Sequence, residues 1–423
     1  MTASSSTRRA GELDPDFGVD GVLTIELGSN PLLNIKVVKR TAQGELYVLC
    51  NSLQTYGAFL AKYSAAGVQD RTFAGGKGYI INDAPNSSSS ADLQLQGDKP
   101  LIFSEDIGHL TIDRFLANGL PDPGFGTGGR ISIPFDGFNP PHPDASKVAG
   151  KVPGYSKGPM LTVQHGNRWF VAFAARWFGD RYLSVLVCLN EQFELDLTFD
   201  KKGYTVIDLA GEAIIWNTPA RLIVQTHGAN AGKPVLFVRR RALLTGDTDA
   251  LSDFIVRLNV DGSNDYTFGD INSNRVALPA DDILDIQEVI ADENDDLKVI
   301  GVQWDFEGAA RGYTANGRVD VNFNGGNLWT SRPHDFWLSG TSTDTLLNYR
   351  LMTWGYNTSH ERRVYVNRVN RDCEQDEGFG IDGIARFFYN LPSGYSAEKK
   401  TTLLTDDAYW LGLGPVLIKV LRN

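Results

Sequence analysis

Cysteine and methionine are scarce, with three of each in 423 residues. Cys50, Cys188 and Cys373 lie far apart, and three thiols cannot all pair within one chain. No C-x-x-C pattern occurs, which removes the usual local signature of a zinc or redox site. No apolar run approaches the roughly 18–20 residues a membrane-spanning helix needs, so membrane insertion is not expected. Positive charge is in deficit: 40 Lys and Arg against 51 Asp and Glu leave a formal net charge of −11. That balance argues against nucleic acid, or an anionic membrane, as a partner held by overall charge. Met1 to Leu13 is polar, with Arg8 and Arg9 not followed by an apolar run, so no secretory signal is read there. The expected location is the cytoplasm, or outside the cell by a route needing no N-terminal signal. G-x-x-x-x-G-K-[ST] and H-E-x-x-H are missing, and no G-x-G-x-x-G opens a helix. The six histidines, His109, His142, His165, His227, His334 and His360, form no metal-spaced pair. Neither a metal nor a cofactor is called for.

Glycine, by contrast, is plentiful at 44 residues, and 42% of the chain is hydrophobic, enough to build a large core. A Gly-rich, strand-rich chain is searched first for repeats. One segment recurs, at its fullest G-x-x-D-x-x-F-G. Its Asp stands at Asp14, Asp70, Asp122, Asp196, Asp265, Asp320 and Asp376. The Phe three residues on stands at Phe17, Phe73, Phe125, Phe199, Phe268, Phe323 and Phe379. Successive Phe residues are 56, 52, 74, 69, 55 and 56 apart. The 44 residues after Phe379 and the 17 up to Phe17 together make one more period. A repeat split between the two ends points to a ring.

Each period holds four short strand-like runs. In the first they are Val22–Leu27, Asn34–Lys39, Glu45–Asn51 and Ala58–Ser64, rich in aliphatic and aromatic residues and separated by turns. Helical periodicity is absent. The expected fold is all-β: a seven-bladed β-propeller with four antiparallel strands per blade. Its ring is closed by the N-terminal strand Val22–Leu27, which completes a last blade drawn from about Thr401 to Arg422. Residues 1–10 are expected to form a flexible tail, and residues 11–423 one propeller domain.

RFLANGLPDPGFGTGGRI (Arg114 to Ile131) and RLNVDGSNDYTFGD (Arg257 to Asp270) carry a more specific likeness. This pattern of strand, glycine-bounded Asp–Phe loop and following strand resembles the delta-60 repeat family of bacterial propeller proteins. The likeness covers about Gly11 to Asn423. The fourth and sixth copies depart from it after the Phe, and the third and fourth carry insertions. The family implies a propeller and no single activity, so function rests on sites.

The repeated Asp reads as a loop-fixing acceptor for backbone N–H groups, and the Phe as a wedge between neighbouring blades. Calcium is the alternative, but loops such as GLPDPGFG offer one carboxylate where several are needed. Loops alternate between the two ends of up-and-down strands. The Asp–Phe loops should share one end with the tight turns Thr41–Glu45, Gln96–Lys99, Gln164–Arg168 and Asp292–Asp296. Two insertions, residues 134–160 and 239–253, should share the other. Loops longer than packing needs are often functional. Residues emerging on that face are the candidate ligand contacts: Arg176, Trp177, Trp216, Arg240, Arg241, Trp304, His334, Trp337 and Trp354. Arg and Trp are enriched in binding anchors; packing between blades is the alternative for each Trp. No catalytic residue is singled out. The acidic stretch from Asp281 to Asp296 reads as a solvated turn and its flanks.

The resulting functional expectation is a monomeric, non-enzymatic binding or scaffold propeller recognising a protein or glycan. Two alternatives stay open. One is a polysaccharide or peptide hydrolase or lyase at the channel mouth. The other is a component of a secreted toxin or surface assembly.

Overall fold

The structure, a computed structural model, describes residues 8–28, 33–52, 57–82, 91–106, 108–134, 159–176, 182–207, 214–242, 253–269, 273–278, 285–302, 308–330, 337–344, 350–356, 363–370, 372–388, 400–405 and 407–422. Among them the chain is almost wholly β-strand and turn.

The first strand is β1 (Val22–Thr24). Next come β2 (Leu33–Arg40), β3 (Leu46–Ser52), β4 (Ala58–Tyr63) and β5 (Tyr79–Asn82), paired in that order as one antiparallel sheet. A second sheet is β6 (Asp92–Gln96), β7 (Lys99–Asp106), β8 (His109–Arg114) and β9 (Arg130–Pro134). The next strands are β10 (Leu161–His165), β11 (Arg168–Arg176), β12 (Tyr182–Leu189) and β13 (Tyr204–Ile207). They share one eight-stranded sheet with β14 (Ile214–Val224), β15 (Pro234–Ala242), β16 (Phe254–Arg257) and β17 (Arg275–Ala277). A fourth sheet is β18 (Asp285–Ala291), β19 (Leu297–Val302), β20 (Gly308–Tyr313) and β21 (Trp329–Thr330). A fifth is β22 (Trp337–Asp344), β23 (Arg350–Tyr356), β24 (Arg363–Val369) and β25 (Ile384–Phe388). The sixth joins the two ends of the chain. It contains β26 (Lys400–Leu404), β27 (Ala408–Leu413), β28 (Val416–Leu421) and β1, with Val22 opposite Ile418 and Thr24 opposite Val416.

This is a six-bladed β-propeller by its hydrogen-bonded sheets, and it corrects the expected fold in two respects. The expected seven blades assumed one separate sheet per Asp–Phe copy. Two copies instead share the double-width sheet, because β12 and β14 run parallel and meet at Tyr182 and Trp216. Asn217 reinforces that seam: its Oδ1 accepts the Ser184 N–H at 2.5 Å, and its Nδ2 donates to the Ile207 carbonyl at 2.8 Å. The expected pairing of the N-terminal strand with the last blade is present, β1 lying beside β28, but it does not make the closed ring expected. The sheets stay open and uncurled, and β1 lengthens one of them.

Burial explains why these segments are strands. LYVLCNS in β3, AFLAKY in β4 and VLIKVL in β28 are buried along their whole length, as sheets covered on both faces require. RISIP in β9, an outer strand, alternates between exposed and half-buried. The core lies between successive sheets. Leu101 and Phe103 of β7 pack with Trp169 and Val171 of β11, for example, and Phe17 and Leu46 pack with Trp410 and Leu417.

Candidate functional site

The seven repeated Asp–Phe loops account for themselves structurally. In every copy the Asp Oδ1 accepts the backbone N–H two residues on, at 2.9 to 3.1 Å. All seven Phe rings are buried. In four copies the Gly that opens the loop lies against the preceding copy's ring: Gly67 on Phe17, Gly119 on Phe73, Gly262 on Phe199 and Gly317 on Phe268. A β-carbon at Gly119 would sit 2.7 Å from the Phe73 ring. Where the fourth copy has Phe193 in place of that Gly, it packs edge-on against Phe125, centroids 5.1 Å apart. Backbone bonds follow the same path. Gly18, Ala74, Asp200, Gly269 and Gly380 donate to the carbonyls of Ala66, Asn118, Asp261, Asn316 and Ala10.

The second carboxylate oxygen of six copies meets a buried or half-buried cation. Arg114 and Lys99 hold Asp122, Arg257 and Lys233 hold Asp265, Arg368 holds Asp376, and Lys419 holds Asp14, all at 2.7 to 2.9 Å. Arg114, Arg257 and Arg368 each stand eight residues before their Asp and also lie over the motif Phe, 4.3 to 4.8 Å from its centroid. Where that position is Cys188 or Gly312, the cation comes from the adjacent strand: Arg168 to Asp196 at 2.8 Å and Lys298 to Asp320 at 3.0 Å. This cation was overlooked in the sequence, although its spacing is visible there. Asp265 is the most perturbed member. Burial works to raise its pKa, but the bonds from Lys233, Thr267 and Arg257 outweigh burial and hold it at about 2. A carboxylate so engaged is a structural anchor, with no oxygen turned toward a calcium ion.

The opposite ends of the strands are where the candidate contacts lie. Arg168 opens β11 at the Asp–Phe end, holding Asp196. Arg176 closes the same strand, about 26 Å away at strand rise. Arg176 pairs with Tyr182, Tyr182 with Trp216, and Trp216 with Arg241, while Arg240 pairs with Asn217. The backbone therefore sets Arg176, Trp216, Arg240 and Arg241 in one row across the double-width sheet. Trp337 pairs with Tyr356 at the corresponding end of its own sheet, and Trp354 stands two residues inside that end. Trp177, Trp304 and His334 lie outside the described residues, as do most of the two insertions (135–158 and 243–252). The insertions leave from Pro134 and Ala242, the first running into β10 and the second linking β15 to β16.

One sequence reading needs amendment. The acidic stretch is not simply solvated. Asp295 is 1% exposed, with its carboxylate accepting the N–H groups of Thr226 at 2.8 Å and His227 at 2.7 Å from the neighbouring strands' loop. Asp281 and Asp282 lie outside the described residues. One catalytic-type motif does occur in the sequence. Residues 154–158 read Gly-Tyr-Ser-Lys-Gly, a G-x-S-x-G. A nucleophile elbow needs a strand turning into a helix, whereas this segment, outside the described residues, leads into strand β10. The thiols are poor nucleophiles: burial pushes Cys188 and Cys373 up to about 12, and Cys50 higher still.

No family model matches the chain, and no curated protein matches it either. Among solved structures, the chain is similar to a protein of unknown function from Dyadobacter fermentans, at 10% identity and TM-score 0.45, covering 96% of this chain and 100% of that one. Drosophila Plexin A in complex with Semaphorin 1b gives 9% identity and TM-score 0.45, covering 95% and 87%. The WD40 domain of SCAP from fission yeast gives 7% and 0.36, covering 97% and 99%. These similarities carry no argument about function. The fold rests on the strand pairing, which makes the chain a β-propeller, a scaffold suited to ligand binding in general. Among the described residues, no helix is long and apolar enough to cross a membrane.

Proposed function

We propose that the chain is a non-enzymatic binding propeller that recognises a protein or carbohydrate on the end of its sheets bearing residues 134–160 and 239–253. The row Arg176, Tyr182, Trp216, Arg241 carries this reading. It crosses the one double-width sheet at the end away from the Asp–Phe loops, and both insertions attach to that sheet. The motif Asp carboxylates and Phe rings at the other end, by contrast, are committed to holding the fold. The finer reading of the repeat, as of delta-60 type, rests on the two quoted segments alone.

The test is a pull-down and a glycan array with the intact protein, then Trp177→Ala and Trp304→Ala. A true anchor should lose about 2 kcal/mol or more of binding with folding intact. Two variants that fold and bind as the parent does would sink the assignment.

A further inference from the structure

A cleft of about 550 Å3 opens on the rim of the double-width sheet, between β13 and the pair β16–β17. Its wall includes the fifth Asp–Phe loop. Thr205, Val206 and Ile207 line it consecutively. Alternate strand side chains face opposite ways, so the cleft runs along the outer edge of β13. Its apolar floor is small, and its walls are polar: Asp200, Asn264, Tyr266, Asn274 and Arg275.

Several details mark these walls as specialised. The residue after the motif Phe is left-handed in all seven copies, and four copies use Gly there. The fourth copy instead has Asp200 at φ 48° followed by Lys201 at φ 59°, two consecutive non-glycine residues in a disfavoured region. The substitution brings a carboxylate to the cleft, where Lys202 Nζ holds it at 3.1 Å. Across the cleft, Asn274 Nδ2 donates to Asn264 Oδ1 at 2.7 Å. That bond orients the Asn274 amide and leaves its Oδ1 without a partner among the described residues. Tyr266 occupies the position after the motif Asp, where the other copies have Pro, Arg, Leu, Val or Glu. The residue is 63% exposed at the rim.

We infer that this cleft binds a saccharide of one or two rings. Sugar hydroxyls both donate and accept, which suits a wall offering a carboxylate, amides and a guanidinium side by side. The apolar C–H face of a pyranose suits an exposed aromatic ring. The small apolar floor disfavours a predominantly hydrophobic ligand. An extended peptide added to the β13 edge is the competing occupant. β13 has only four residues to pair with it, and a main chain would leave the opposing amides and carboxylate unused. Among the described residues one carboxylate, Asp200, stands in the wall, whereas glycoside hydrolysis uses a pair, so the inference is binding without cleavage.

The test is saturation-transfer NMR on the intact protein with methyl glycosides of glucose, galactose, mannose, N-acetylglucosamine and glucuronate, plus cellobiose and maltose. At least one should bind saturably. Tyr266→Ala and Asn274→Ala should each weaken that binding tenfold or more, and Tyr266→Phe should restore it. Leu197→Ala, at the matching position of the preceding copy and outside the cleft, should change nothing. Unaltered melting temperatures separate lost binding from lost folding. An alternating Thr-Val hexapeptide forms the peptide arm. The inference is overturned if no sugar binds, if binding ignores both cleft variants, or if the hexapeptide alone binds there. None of these results bears on the insertion-bearing face, whose test uses other residues.

Discussion

Arg257 Nε lies 2.8 Å from Asp265 Oδ2, and the Arg257 side chain is fully buried. The same guanidinium donates to the Ala315 carbonyl at 2.6 Å and to Gln225 Oε1 at 3.1 Å. One side chain thus ties an Asp–Phe loop to the loop of the next sheet. Arg257→Met leaves a buried carboxylate short of one cation and Gln225 Oε1 without this donor, while the Ala315 carbonyl keeps the bond from Gln225 Nε2 at 2.9 Å. Breaking a buried pair in this way costs about 3–5 kcal/mol, with Lys233 holding the loss toward the lower figure. Arg257→Lys keeps the charge but not the fork, and should lose less. Urea unfolding of the two variants checks the order.

Phe125→Ala removes a ring that packs against Phe193 and lies beneath Arg114. A cavity between sheets should cost about 3–5 kcal/mol. Gly119→Ala tests the partner side of the same device. Its φ of +83° and the 2.7 Å approach to Phe73 leave no room for a methyl group. A loss of more than about 1 kcal/mol is expected. A neutral Gly119→Ala in thermal melts would mean the loops do not interlock as described.

Acid should unpick these loops. The Asp265 pKa is held at about 2, below its ordinary value near 4, and Asp14, Asp70, Asp122 and Asp196 shift the same way. Groups depressed in the folded state bind more protons when unfolded. Their stabilisation is complete above about pH 4 and falls away as pH drops toward 2. Unfolding free energy measured from pH 5 down to 2 should decline through that window. Asp265→Asn should be less stable at pH 6 and show a shallower decline. An identical slope in both proteins would show that Asp265 is not among the groups responsible.

Much of this arrangement was legible in the sequence. Val22, Leu46 and Ala58 begin strands close to where alternation and turn residues placed them, because propeller strands are short, apolar and bounded by glycine. The Asp–Phe loops were legible because seven copies repeat one solution. The cations were less so, since Arg168 and Lys298 substitute from a different strand where Cys188 and Gly312 stand. Sheet number was not legible. Motif spacing counts repeats, whereas sheets are defined by pairing, and the Tyr182–Trp216 contact that merges two of them is parallel and non-periodic. The rim cleft was invisible for the same reason: Asp200, Tyr266 and Asn274 come from separate loops whose neighbourhood only the fold creates.

The seam of the double-width sheet gives the last prediction. Asn217 is fully buried, and its amide stands where a peptide unit would bridge Ser184 N and the Ile207 carbonyl. Asn217→Ala strands one donor and one acceptor, at about 1–3 kcal/mol each when buried. Asn217→Leu fills the space but restores neither bond, so it should remain destabilised. If packing alone held the seam, Leu would recover most of the loss. Hydrogen exchange locates the effect: the Ser184 amide should lose protection in both variants, while amides of the distant β27–β28 ladder keep theirs. Uniform loss of protection would mean that Asn217 supports global stability rather than this seam. Unchanged protection at Ser184 would mean that the parallel contact at Tyr182 and Trp216 holds the two halves together without it.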